Sequence, residues 1–170
     1  ANPINVLCGM ISKVTDADSV YINEKAPYGY DYANGDTDAE AVGQAHGVHV
    51  AGTVAGNNGK DFYGVAPNAQ LMIMKIFGDN SGSTSDDIIL AGVDDSVKLG
   101  ADSINMSLGS PAGFTVYGDE DDSEESGLTY YGVYTRAEKA GVNVLVAAGN
   151  ETSSTNYNAH NNLTYAEYPD

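Results

Sequence analysis

Three apolar runs limit what this chain can fold into more than any other feature: Leu71-Met72-Ile73-Met74-Lys75-Ile76-Phe77, Ser103-Ile104-Asn105-Met106-Ser107-Leu108 and Val142-Asn143-Val144-Leu145-Val146-Ala147-Ala148. Each is nearly continuous rather than alternating, the pattern of a strand covered on both faces. The intervals between them read as helices. Ser83-Thr84-Ser85-Asp86 has the form of a capping box, Ile88, Ile89, Val93 and Val97 follow at helical spacing, and Gly100 is placed to end the helix in a left-handed conformation. A second helix is expected from about 128 to 139, with Tyr131, Tyr134 and Thr135 on one side and Gly141 as its stop. Strand, helix, strand, helix, strand is the order of parallel βαβ units. The expected fold is therefore α/β, a doubly wound and mostly parallel sheet. Residues 1 to about 42 are rich in Asn, Asp, Gly and Tyr, only 4–14 are apolar enough for a strand or short helix, and no fold is assigned to them.

Composition narrows the function classes. A length of 170 residues suits one domain, and 42% hydrophobic residues are enough for a core. Seven Lys and Arg against 24 Asp and Glu give a formal net charge of -17, which repels phosphate backbones and anionic membranes and excludes nucleic acid as the expected partner. The single cysteine, Cys8, rules out an internal disulfide framework and any multi-cysteine metal site, and reads as a small buried side chain. No apolar run approaches the ~18 residues a membrane span needs, and no signal peptide is recognisable. The start at Ala1 rather than Met is expected of a processed chain or an excised piece.

In parallel α/β sheets, ligands and catalytic groups gather beyond the carboxyl ends of the strands. That points to residues 77–83, 107–112 and 149–152. The acidic run Asp119-Glu120-Asp121-Asp122-Ser123-Glu124-Glu125 reads first as a solvated loop, with a cation site as the alternative. The most distinctive segment is His46-Gly47-Val48-His49-Val50-Ala51-Gly52-Thr53-Val54-Ala55-Gly56, whose small residues suggest a helix packed closely on a neighbour, with His46 in its first turn. His46 and His49 are three apart and could share a face. Helical zinc hydrolases instead need a four-residue separation with a Glu between, so a zinc-dependent hydrolase is a weaker reading.

His46 to Thr53 resembles the active-site histidine segment of the subtilisin-like serine proteases, which usually reads H-G-T-H-V-A-G-T. Tyr63-Gly64-Val65-Ala66-Pro67-Asn68-Ala69 and the strand after it are similar to the family's G-V-A-P-x-A-x-L stretch. Ser103 to Gly109 resembles I-N-M-S-L-G, and Gly141 to Glu151 resembles G-V-x-V-V-x-A-A-G-N-E. The four segments occur in the family's order over about residues 43 to 152. The resemblance implies a subtilisin-like fold and serine endopeptidase chemistry on protein or peptide substrates, with no cofactor required. By the same resemblance His46 is the general base, Asn150 the side-chain donor to the oxyanion, and Ser107, Leu108 and Gly109 the strand that pairs with substrate. Gly78 to Gly82 matches the family's second substrate-binding strand only loosely. The segment Tyr28 to Asp38 is similar to one preceding the histidine motif in the cell-envelope proteases of Gram-positive bacteria, which implies a secreted or cell-surface protein.

Two motifs of the family are missing. The acid of the triad closes a strand reading approximately V-A-V-I-D-T-G, and none of Asp16, Asp18, Asp31, Asp36 or Asp38 follows such a strand. The nucleophile's G-T-S-M-A is also absent, and Ser153 and Ser154 lie in a segment without its glycine or its small apolar helix. The expectation is that residues 1–170 are the central part of a peptidase domain, inactive alone; the alternative is a non-catalytic pseudoprotease or peptide-binding module. Val48 replaces the family's usual Thr and loses its hydroxyl. The segment 56–64 falls where many relatives form a calcium loop, and Asn58 or Asp61 could offer oxygen to calcium, though Lys60 argues against it; Asn34 to Asp38 reads as a turn.

Overall fold

The glycine stop expected at position 100 ends a helix and falls at the boundary between two units of the chain. Gly100 has φ 82°, and the chain divides there into two units, Ala1–Leu99 and Gly100–Asp170. The structure, a computed structural model, describes residues 17–109, 130–147, 149 and 150. Residues 4–14, Cys8, Asp16, the acidic run at 119–125, and Ser153 and Ser154 lie outside the described residues.

In the first unit, one turn of 3₁₀ helix at Ala17–Val20 precedes strand β1 (Tyr28–Asp31), helix α1 (His46–Ala55), strand β2 (Met72–Lys75) and helix α2 (Asp86–Lys98). Strands β1 and β2 pair in parallel, Tyr28 opposite Met72 and Asp31 opposite Lys75. All four residues of β1 are buried. Tyr28, Tyr30 and Tyr32 recur at the two-residue period that puts them on one face, and with Val20 and Leu99 they form the core, against which Met72, Met74, Ile76, Ile88 and Ala91 pack. The rings of Tyr30 and Tyr32 meet edge to face, centroids 5.0 Å apart. A buried phenol needs a partner, and here the hydroxyls of Tyr28 and Tyr32 lie 3.1 Å apart while Tyr32 donates to Asp95 Oδ2 at 2.9 Å. Burial, with those two bonds added, raises the Tyr32 phenol far above its ordinary value, so it remains a neutral donor.

Helix α2 fits the predicted span at its end but starts later than the capping box implies. Its N-cap is Ser85, which makes no side-chain cap bond. The turn before it is bonded away from the helix: the Thr84 hydroxyl donates to the Ile76 carbonyl, and Ser83 donates its N–H to Ser81 Oγ. Asp86 and Asp87 in the first turn and Lys98 in the last complement the helix dipole. Gly92 lets the helix approach β2 closely, since a Cβ there would stand 3.3 Å from Ile76 Cγ2.

The second unit holds β3 (Ser103–Met106), helix α3 (Tyr130–Lys139) and β4 (Asn143–Val146). The strands pair in parallel, Ser103 opposite Asn143 and Met106 opposite Val146. Met106, Val133, Tyr134, Ala137 and Val142 are buried, and the Tyr134 hydroxyl donates to Met106 Sδ. Gly141, at φ 74°, ends α3 as the sequence predicts. The alternation of helices with parallel strands is that of a partial subtilisin-like α/β fold.

Coverage of the strands on both faces is not observed. Strand β2 is half-buried throughout, β3 and β4 alternate exposed with half-buried positions apart from Met106, and Leu145 is 56% exposed. Among the described residues each sheet has two strands, so the apolar runs form strands by propensity and pairing while part of their surface stays open.

Candidate active site

Helix α1 carries the distinctive histidine segment. His46 is its first residue, exposed, and follows the N-cap Ala45, which offers no side-chain acceptor. The close packing expected of its small residues is found at the other end. Ala55 is the one residue of the helix that is fully buried. There the segment Gly64-Val65-Ala66 runs beside the helix and satisfies its last carbonyls: Val65 N–H donates to Thr53 O, Ala66 N–H to Val54 O and Gly64 N–H to Gly56 O, at 2.7 to 3.0 Å. This approach requires glycine at 64. A Cβ would lie 2.7 Å from Ala55 N, 2.7 Å from Gly52 O and 2.8 Å from Gly56 N, all backbone atoms. Gly64→Ala is therefore expected to lower stability by about 1–3 kcal/mol, read as a lower urea midpoint with an unchanged slope. A midpoint equal to the parent's would refute the steric account.

The turn after that segment is anchored from before β1. Lys25 Nζ donates to the carbonyls of Pro67 and Ala69 at 2.7 and 2.5 Å, and Leu71 N–H donates back to Lys25 O. The turn thereby holds the start of β2 in place, and β2 in turn fixes the loop that follows.

Strand β1 ends in Asp31, whose side chain is wholly buried. Its Oδ2 lies 2.8 Å from Lys75 Nζ and 3.0 Å from Asn34 Nδ2, and its Oδ1 accepts from Asn34 N–H. Lys75 also reaches Asp79 Oδ1 at 2.5 Å. Burial alone would lower the Lys75 ammonium, but the bonds to Asp31 and Asp79 outweigh it and raise it above the ordinary lysine value. The carboxylate of Asp31 is thus bound into the end of the β1–β2 pair. Asp36 Oδ1 accepts from Asp38 N–H, and Asp38 Oδ1 from Glu40 N–H, so the run after Asn34 is a series of turns, as expected.

The residues matched to the substrate strand and the oxyanion donor belong to the second unit. Ser107, Leu108 and Gly109 follow β3 directly, and Gly149 and Asn150 follow β4 at the same end of the sheet. Ala147 N–H continues the pairing by donating to Met106 O at 3.0 Å. Ser107 and Leu108 are half-buried and Gly109 is exposed; Asn105 Nδ2 donates to Ser107 Oγ at 2.9 Å. Gly149 has φ 95°, a left-handed turn that delivers Asn150 to an exposed position beyond the strand. His46 belongs to the first unit, at the start of α1.

The loop named for calcium closes on itself. Asn58 Oδ1 accepts from the N–H groups of Lys60, Asp61 and Phe62, and Asn58 Nδ2 donates to Asp61 Oδ1 at 2.7 Å. Among the described residues, no three of His, Cys, Asp and Glu are grouped to hold a metal ion, and no helix is long and apolar enough to cross a membrane. Val48, where the family usually has Thr, is 59% exposed.

The sequence profile of the Subtilase family matches residues 9–170, and the chain belongs to that family of serine peptidases. It is 37% identical over 143 residues to the PI-type proteinase of Lactococcus lactis subsp. cremoris, covering 79% of this chain and 7% of that protein. It is 34% identical over 151 residues to subtilisin E of Bacillus subtilis, covering 88% of this chain and 35% of subtilisin E. A PII-type proteinase of Lacticaseibacillus paracasei is 36% identical over 143 residues, covering 79% of this chain and 7% of that protein. The chain thus spans about a third of the length of subtilisin E and a small part of the lactococcal proteinase.

Proposed function

We propose that this chain is the central part of a serine endopeptidase domain, with His46 as general base and Asn150 as oxyanion donor. The observation that carries the reading is the order of matched segments. The histidine helix, the strand followed by Ser107-Leu108-Gly109 and the strand leading to Asn150 stand in the family's order in one chain. In this mechanism a serine hydroxyl attacks the peptide carbonyl while the imidazole removes its proton and later passes it to the leaving amine. The serine and the carboxylate that orients the imidazole are contributed by segments flanking the one described. The amide of Asn150 stabilises the negative charge that develops on the carbonyl oxygen. Ser107 to Gly109, which follow β3, pair with the backbone of a protein or peptide substrate. The chemistry uses side chains and water and needs no cofactor.

The protein acts outside the cell or on its surface. The net charge of -17 and the likeness to the PI-type proteinase support this location. The test is covalent labelling. The protein that carries this chain, with its flanking segments, is expected to react stoichiometrically with a fluorophosphonate probe and to cleave casein. If it binds peptides yet stays unlabelled, it is a peptide-binding module and the proposal fails.

A further inference from the structure

We infer that Asn80 is a positioning residue for His46, acting through the backbone that enters helix α1; the catalytic part of this inference rests on the general-base role proposed above. Asn80 is the one described residue other than glycine with a positive φ, 56°. That conformation is costly for most side chains and tolerable for Asn. It turns the Asn80 N–H onto the Val42 carbonyl at 3.0 Å. Next to Val42, Gly43 is itself left-handed at φ 72°, and the space where its side chain would begin is filled by Asn80. A Cβ at 43 would stand 2.0 Å from Asn80 Oδ1, 2.7 Å from Cγ and 3.2 Å from Cα. Two left-handed residues from separate loops are thus locked together, and each conformation is needed for the contact. His46 follows three residues after Gly43.

At the start of α1 the N-cap Ala45 makes no side-chain cap bond. The other side of the lock is held firmly. The Asn80 loop is tied to β2 by the Lys75–Asp79 ion pair, by the Thr84 hydroxyl on the Ile76 carbonyl, and by a turn in which Ser81 N–H donates to Gly78 O at 3.0 Å. The entry of α1, and with it the approach of the His46 imidazole, is therefore set from the end of β2. A base that must meet its proton within a few tenths of an ångström depends on such a support.

The test separates the lock from the catalytic role. In the complete peptidase, the ring resonances of His46 and His49 are assigned by their loss in H46Q and H49Q variants, and Asn80→Ala, Asn80→Gly and Gly43→Ala are compared with the parent at equal far-UV circular dichroism. Asn80→Ala and Gly43→Ala are expected to move the His46 signals and leave those of His49, while Asn80→Gly, which keeps the left-handed turn without penalty, restores the parent position. In the complete peptidase, Asn80→Ala should lower kcat about tenfold at unchanged KM, with Asn80→Gly within about twofold of the parent. His46 signals unmoved in both folded Asn80→Ala and Gly43→Ala overturn the lock. Signals that move while kcat stays constant support the lock and overturn the general-base role. If Asn80→Ala does not fold, the comparison of Gly43→Ala with Asn80→Gly decides: equal His46 signals in the two overturn the lock.

Discussion

Replacing His46 with alanine in the complete peptidase should lower kcat by about 10⁴- to 10⁶-fold, a range measured on triad proteases that include subtilisin rather than deduced from this chain. The loss should fall on kcat with KM nearly unchanged, because the imidazole acts on a proton that moves in the transition state and contributes little to holding the substrate. His49 provides the internal comparison. It lies on the same helix, is exposed like His46, and has no matched role, so His49→Ala should leave kcat within about twofold. Single-turnover kinetics on a chromogenic peptide would measure both. Equal losses in the two variants would mean that the helix, and not the His46 imidazole, was being perturbed. A His46→Ala enzyme that kept a tenth of its activity would remove the general base from this position altogether.

Much of the fold was legible because it rests on local chemistry. The apolar runs at 71–77, 103–108 and 142–148 became β2, β3 and β4, and the left-handed glycines at 100 and 141 ended helices where a helix must end. Strand β1 was hidden by its composition. Tyr28-Gly29-Tyr30-Asp31 has the two-residue alternation of a strand, but Gly29 and Asp31 are poor strand residues taken alone. Each is explained by its neighbours in the fold: Gly29 by the Ile22 side chain that would meet its Cβ at 2.4 Å, and Asp31 by Lys75 and Asn34. The start of α2 was displaced for a similar reason, since Thr84 answers to Ile76 across the turn and not to its own helix.

The candidate site divides along the same line. His46, Ser107 to Gly109 and Asn150 are candidates by resemblance, since a motif preserves residue types that spacing alone cannot interpret. The supports around them were not legible. That Gly64 must be glycine follows from its approach to Gly52 O and Ala55 N, and that Gly43 must be follows from Asn80. Both are contacts made in the fold, the second between segments far apart in sequence. No periodicity encodes them.

The ion pair between Asp31 and Lys75 carries the other large effect, and its sign depends on which partner is removed. Lys75→Met is expected to cost about 3–5 kcal/mol of folding stability, because it strands a fully buried carboxylate that only Asn34 then partners. A charge pair of this kind contributes little net stability when compared with an apolar pair of equal volume, so the loss reports the orphaned Asp31 and not the strength of the bond. The double variant Asp31→Asn/Lys75→Met should therefore recover most of the loss, and a double-mutant cycle by urea denaturation would show strong coupling. The pH dependence follows from the direction of the Lys75 shift. Its folded-state value is raised, so its contribution is fully present below the unfolded lysine value of about 10.4 and is lost only as pH rises through the higher folded value. The lysine's own contribution should therefore stay constant up to about pH 9. A single variant that lost less than about 1 kcal/mol, or a double variant no more stable than the single, would show that Asp31 finds another partner when the lysine is gone.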